Sequence, residues 1–338
     1  MIKVILYPIL SIALFFTCYA QAIKLPEMAD TIKWDQQKID KINKFVSTQL
    51  TKALIVYQNG ERVYEFGDLD QPYHVFSARK SILSVLYGAY SNDINIEATL
   101  SELGIDDKLT LTEQEQNAKV IDLLKARSGV YHPAAYETPG MVNNRPEREE
   151  FSRNEHWFYN NWDFNALTTI FENSTGVKVF EAFEEKIANQ IGMTKYDPSS
   201  NKYHYEDVSM HPATIWYFSA NDFARFGQLM LNEGKWENKE IIPASWIKES
   251  TQSYSNIGIL GGYGYCWWAA REGFHYPFVN TPDGTFSARG TGEQSLIVIP
   301  EWDMIIVHLT EVTSPDDDMM HVTDFGRLLM LIFEQKFF

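Results

Sequence analysis

The spacing of apolar and polar positions changes along the chain. Two short β-rich runs, Leu54-Ile55-Val56-Tyr57 and Arg62-Val63-Tyr64-Glu65-Phe66, flank Asn59-Gly60. An Asn-Gly pair adopts the positive φ angles of a type I′ turn, so residues 53–66 predict a β-hairpin. From Ser77 the period lengthens, and Ile82, Leu83, Val85, Leu86 and Ala89 recur at helical spacing. Residues 76–250 read mostly as helices and long loops. Helices are expected at 164–171, 180–191, 220–231 and 243–249, with Gly176, Gly192 and Gly234 as stops. Strand patterns return after Gly262, first as one run over 263–270. A pair follows at 295–299 and 304–309, joined by Pro300-Glu301-Trp302-Asp303. A last helix is expected after Ser314-Pro315-Asp316-Asp317-Asp318, where proline and acids suit a first turn. Its apolar face would be Met320, Phe325, Leu328, Leu329 and Ile332.

Sheet elements therefore lie near both ends of the chain and helices lie between them. The economical packing is an α/β protein of the α+β type: one antiparallel sheet built from both ends, flanked by helices, with a mainly helical region inserted. Residues 23–75 and 251–338 form the sheet-containing region, and 76–250 the helical one. The Pro-, Gly- and Asn-rich stretch 131–153 is the longest irregular segment. It reads as a loop over a site or as a surface connection.

Residues 1–22 read as an address. Lys3 precedes the apolar run 4–17, and Ala20-Gln21-Ala22 is a small-x-small cleavage site. Cleavage is expected after Ala22, giving a periplasmic or secreted protein with no stable membrane span. The run is short for a span of about 20 residues. Phe15-Phe16-Thr17 before Cys18 is a poor lipoprotein signal.

Charge narrows the function. Lys+Arg is 29 and Asp+Glu is 45, a formal net charge of −16. Loss of Lys3 with the leader makes the remaining chain −17 (28 − 45). So acidic a chain repels phosphate backbones, which argues against nucleic-acid partners. Two cysteines exclude a disulfide scaffold. Cys266, between Tyr265 and Trp267, reads as a small core residue. H-E-x-x-H, G-x-S-x-G and G-x-x-x-x-G-K-[ST] are absent, against a zincin, an ordinary α/β-hydrolase and a P-loop enzyme.

Three short patterns can carry chemistry. Ser77-Ala78-Arg79-Lys80 is S-x-x-K at the start of the first helical run. One turn of helix brings the Lys80 amine toward the Ser77 hydroxyl. Partial desolvation lowers a lysine pKa, so the amine can take the serine proton. Free N–H groups at the helix start can meet an oxyanion. Chance supplies roughly one S-x-x-K per chain of this length. Ser199/Lys202 and Ser245/Lys248 also match, in a polar loop and at a surface helix start. Tyr159-Asn160-Asn161 is Y-x-N, in which the tyrosine can shuttle a proton and the asparagine can hold the lysine or a carbonyl. Tyr57, Tyr90 and Tyr254 begin further matches. Ala288-Arg289-Gly290-Thr291-Gly292-Glu293-Gln294 precedes a strand; its glycines allow close backbone approach, and the N–H near Thr291 can donate to an oxyanion. His211 stands before Pro212 in a loop, where it either touches substrate or is bonded into the structure. Tyr131, Trp157, Trp162 and Trp216 line an apolar pocket or belong to the core.

The order and gaps of these patterns resemble the serine β-lactamase and penicillin-binding superfamily. The resemblance is closest to its class C β-lactamase and esterase branch, with the 6-aminohexanoate-dimer hydrolases, and runs from about residue 50 onward. Leu123-Leu124-Lys125-Ala126-Arg127-Ser128-Gly129, Ile191-Gly192-Met193 and Ser219-Ala220-Asn221-Asp222-Phe223-Ala224-Arg225-Phe226-Gly227 are also similar in style. The resemblance implies Ser77 as acylated nucleophile, Lys80 as general base and Tyr159 as proton shuttle. It implies Asn161 holding Lys80 or substrate, and the Ser77 and Thr291 N–H groups as oxyanion hole. No metal or cofactor is implied, and the partner is a small ester, amide or peptide. One departure matters: where lactamases carry Lys-Thr-Gly, this chain has Ala288-Arg289-Gly290. That lysine helps hold a substrate carboxylate, so an esterase or amidase is expected ahead of a β-lactamase or D-Ala-D-Ala carboxypeptidase. A silent sensor on the same fold has no need of the three groups together. Strand alternation suggests that Arg289 points away from the cleft.

Overall fold

The computed structural model describes residues 34–312 and 319–337. The leader reading and the helix start at 314–318 fall outside the described residues.

The predicted hairpin is β1 (Thr51–Gln58) and β2 (Glu61–Gly67), with Asn59 at φ 52° and Gly60 at φ 74°. The strands after residue 250 are β3 (Ser255–Asn256), β4 (Gly262–Tyr263), β5 (Trp268–Ala269), β6 (Phe286–Gly290), β7 (Gln294–Ile299) and β8 (Met304–Thr310). All eight form one antiparallel sheet in the order β2-β1-β8-β7-β6-β5-β4-β3. The two ends of the chain meet at β1 and β8, where Ile55 lies opposite Val307 and Val56 opposite Ile306.

Period-2 alternation serves two cores. Ala53, Ile55, Leu296, Val298, Ile305 and Val307 face the helical region, while Leu54, Val56, Ile297, Ile299, Met304 and Ile306 face the other way. Two helices cover that second face: α1 (Gln36–Val46) and the C-terminal Val322–Phe337. Sequence reading passed over α1, although Ile39, Ile42 and Val46 mark its apolar face. The last helix begins at Val322, so Met320 packs from just ahead of it and not from its face.

On the first face lie α2 (Arg79–Ala89), α3 (Asn161–Thr175), α4 (Ala220–Leu231) and α5 (Ala244–Thr251); the C-terminal helix is α6. Helix α2 is buried from Arg79 to Gly88, which places it at the centre of the molecule. The run expected over 180–191 is an α-helical turn, Val179–Phe183, followed by a π-helical turn over 184–188. The single strand expected over 263–270 is two strands, because Cys266 takes φ 60° and reverses the chain. The Cys266 carbonyl accepts a hydrogen bond from Ser81 Oγ (2.6 Å) and its N–H donates to Leu124 (2.8 Å). The turn therefore ties the sheet edge to α2. Among the described residues no helix is long and apolar enough to cross a membrane.

Candidate active site

Ser77 sits in a single 3₁₀ turn, Phe76–Ala78, that runs directly into α2. Phe76 is held at φ 46°. A left-handed conformation is costly for a bulky residue and persists only where packing enforces it. Here the Phe76 ring packs against His74 at 3.8 Å between centroids. The chain thus turns sharply before the serine and presents it at a helix start.

Lys80 is one turn on. Its Nζ lies 2.9 Å from Ser77 Oγ and 2.8 Å from Tyr159 Oη. It also sits over the rings of Tyr159 (4.1 Å) and Phe164 (4.6 Å). The side chain is only 1% exposed. Burial, with the neighbouring Arg79 charge second, holds its pKa well below the ordinary lysine value. Burial pushes the Tyr159 hydroxyl upward. Burial therefore favours the neutral amine at Lys80 and the neutral hydroxyl at Tyr159. A neutral amine has the lone pair that accepts the serine proton.

Tyr159 is placed by the loop ahead of α3. Asn160 caps that helix, accepting from the Trp162 N–H (3.1 Å) and donating to the Val130 carbonyl (2.5 Å). Ser128 donates to Asp163 (2.6 Å), and Asn165 donates to the Ala135 carbonyl (3.0 Å). Side chains of the α3 start thus fasten the backbone of 128–136 beside the site. Asn161 belongs to this set: its amide donates to the Tyr136 carbonyl (2.5 Å), while its Oδ1 is buried and unpartnered. Its hydrogen bonds are to that loop and none is to Lys80.

Gly290 brings the third segment in. A Cβ there would stand 2.2 Å from the Val75 carbonyl oxygen, so only glycine lets the end of β6 lie against the segment carrying Ser77. Ser77, Tyr159, Gly290 and Thr291 line one cleft of about 530 Å³. Its other walls include Thr138, Met141, Trp157, Leu260 and Trp268. The segment 131–153 therefore contributes to the cleft.

His211 is not brought to the cleft. It is 3% exposed, its Nδ1 lies 3.0 Å from Thr169 Oγ1, and its ring meets Trp162 edge-on at 5.4 Å. Burial lowers its pKa. It is a core histidine behind α3, which corrects the expectation that it touches substrate. Trp162 and Trp216 are likewise core, whereas Trp157 lines the cleft.

Arg289 corrects a second expectation. Alternation does put it on the Ser287 side of β6, where it donates to Ser287 Oγ (2.8 Å) and the His275 carbonyl (2.8 Å). The guanidinium stacks 3.9 Å from the Tyr276 ring centroid. But β6 ends at Gly290, and the cleft takes in both sides of that end, Arg289 and Val322 included. Trp268 and Glu293 are cleft residues that sequence reading missed. The only signal for Glu293 was its place in the glycine-rich turn.

A serine, a desolvated lysine and a tyrosine joined at a helix start, above a sheet made from both chain ends, define a site of the β-lactamase and penicillin-binding type. The family model described as Beta-lactamase matches residues 48–329, and the chain belongs to that family. An uncharacterised protein of Alkalihalophilus pseudofirmus is 22% identical over 283 residues, covering 77% of this chain and 81% of the relative. The fold is similar to that of a candidate 6-aminohexanoate-dimer hydrolase from Bacillus anthracis, with a TM-score of 0.62 and 21% identity over 93% of this chain and 88% of the other. It is also similar to an octameric penicillin-binding protein homologue from Pyrococcus abyssi, with a TM-score of 0.60 and 17% identity over 88% and 77% of the two chains.

Proposed function

We propose that the protein is an exported serine hydrolase of the class C-like esterase branch, cleaving an ester or amide through a Ser77 acyl-enzyme. The observation that carries this reading is the Ser77–Lys80–Tyr159 group, with Lys80 buried between the two hydroxyls and its charged form disfavoured. Ser77 Oγ attacks the carbonyl carbon as its proton passes to Lys80 Nζ. The oxyanion that forms is met by the N–H groups of Ser77 and Thr291. The proton then moves through Tyr159 to the leaving oxygen or nitrogen as its bond to the acyl carbon breaks. Water hydrolyses the resulting serine ester and restores the hydroxyl.

An esterase or amidase is favoured because Ala288, at the family's lysine position, is fully buried and brings no cation. The apolar cleft walls, Met141, Trp157, Leu260 and Trp268, suit an apolar acyl group. Export rests on the leader-like segment 1–22, and N-terminal sequencing of the secreted protein checks it. A second reading, a β-lactamase or D-Ala-D-Ala carboxypeptidase, draws on Arg289 as a cation lining the cleft; nitrocefin turnover or D-alanine release would favour it.

The test is intact-mass spectrometry with a fluorophosphonate probe, wild type beside Ser77→Ala. One adduct in the wild type and none in the variant supports the acyl-enzyme. No adduct in either moves the reading to a silent binding protein.

A further inference from the structure

Two charged side chains line the cleft around Thr291, and the catalytic reading uses neither. Arg289 stands two residues before Thr291, its guanidinium fixed by Ser287, His275 and the Tyr276 ring. Glu293 stands two residues after, in the turn between β6 and β7. Its backbone is at φ 63°, a conformation that glycine adopts freely and glutamate does not. His308 Nδ1, 2.7 Å from the Glu293 carbonyl, anchors that turn from β8. The strained position thus holds a glutamate, and not a glycine, in the lining of the cleft. Among the described residues no hydrogen bond or ion pair holds that carboxylate, and the charge that acts on it is Arg289. Burial raises its pKa to about 7.

An unopposed Arg289 would draw carboxylate-bearing substrates to the reacting centre. With Glu293 ionised beside it, an incoming anion meets a cation and a carboxylate together. The remaining walls, Met141, Trp157, Leu260 and Trp268, offer apolar contact.

We propose that Glu293 screens Arg289 and thereby makes the cleft selective for uncharged, apolar acyl groups over acyl groups that carry a carboxylate. The inference rests on Ser77 as the nucleophile and goes beyond it by assigning the charge class of the substrate.

The test compares two esters of matched length, 4-nitrophenyl hexanoate and mono-4-nitrophenyl adipate. Acylation of Ser77 is followed by 4-nitrophenol release at pH 8.5, where a carboxyl raised to about 7 is ionised. The wild type prefers the hexanoate. Glu293→Gln shifts the rate ratio toward the adipate by at least about tenfold, equivalent to about 1.4 kcal/mol. Glu293→Gly, at home at this φ, gives the same shift, which separates charge from folding. Adding Arg289→Gln to Glu293→Gln abolishes the shift. A ratio within threefold of wild type in both single variants, or a shift that survives in the double variant, overturns the inference and leaves the nucleophile reading standing. Hexanoate cleavage that survives Ser77→Ala overturns both.

Discussion

Gly290→Ala is a direct test of how the cleft is assembled. The new methyl carbon would lie 2.2 Å from the Val75 carbonyl oxygen and 3.1 Å from Phe76 Cβ. Real Cβ contacts stay beyond 3.0 Å, so β6 and the Ser77 segment must part by at least about 0.8 Å. The obstructing atom is backbone and cannot swing aside. A misplacement of about 1 Å at reacting groups costs on the order of 100-fold in rate, and losing one oxyanion donor costs about 10²–10³. We therefore expect kcat/KM to fall about 10²–10³, chiefly in kcat. Overpacking alone also costs about 1–3 kcal/mol of stability. Gly227→Ala supplies the comparison. Its methyl meets Leu296 Cδ1 at 2.7 Å and Ile305 Cγ2 at 2.8 Å, on the sheet face under α4 and outside the cleft lining. Gly227→Ala should lower Tm comparably and keep kcat/KM within threefold. The assay is ester hydrolysis beside thermal melts of both variants. A folded Gly290→Ala protein with kcat/KM within threefold of wild type would refute the claim that this contact sets the site.

Lys80→Met removes the base while filling the same buried space, so acylation should slow by at least about 10²-fold with Tm unchanged or raised; rate and melt are read on one sample. In the wild type, the depressed Lys80 pKa means that activity falls as pH drops and the amine gains its proton, with a plateau reaching well below the ordinary lysine range; a pH profile of kcat/KM checks it. His308 is fully buried, with its ring between Glu293 and Thr51, and its pKa is lowered to about 4 by burial. The unfolded chain binds that proton more readily, so the His308 contribution to stability should be level above about 6.5 and decline by up to about 3 kcal/mol as pH falls toward 4. Urea unfolding across that range should show a slope, and His308→Gln should make it shallower, with the other buried histidines, His211 among them, keeping the rest. Arg148→Met strips one partner from Glu115, whose buried carboxylate keeps His132 (3.0 Å) and the Thr112 N–H (2.9 Å). Because Arg148 is a third exposed, we expect a loss of about 1–3 kcal/mol with faster proteolysis in 137–148.

Local pattern was enough where one residue's chemistry dictated the backbone. Asn59-Gly60 announced its hairpin, and Ala220–Leu231 announced a helix whose observed ends coincide with the pattern. Ser77, Lys80, Tyr159 and Thr291 stood out because their spacing and order are specific together, and the structure gathers them at one cleft. What stayed hidden was set by partners distant in sequence. Cys266 reverses the chain because Leu124 and Ser81 hold its backbone, and nothing in its own neighbourhood says so. His211 looked available in a loop, but Trp162 and Thr169 enclose it. Arg289 obeyed alternation and still reached the cleft, because where a strand stops is a fact of the sheet and not of the residue.

The pairing of β1 with β8 has a consequence for how the molecule comes into being. Thr51 pairs with Thr310 and Gln58 with Met304, so the central ladder joins the beginning of the fold to nearly its end. Contacts this distant in sequence are slow to form, because a long loop must close before they repay its entropy. Until β8 is present, β1 has an open edge on that side and α2 has no complete floor. Thr291 also reaches Ser77 only through the strands that β8 anchors. A nascent or truncated chain can therefore hold Ser77 and Lys80 on one helical turn and still lack a hydrolytic centre. Under the proposed acyl-enzyme reading, competence would arrive with the closing strand, so Ser77 would stay idle during synthesis and loss of the last strands would equal loss of the serine.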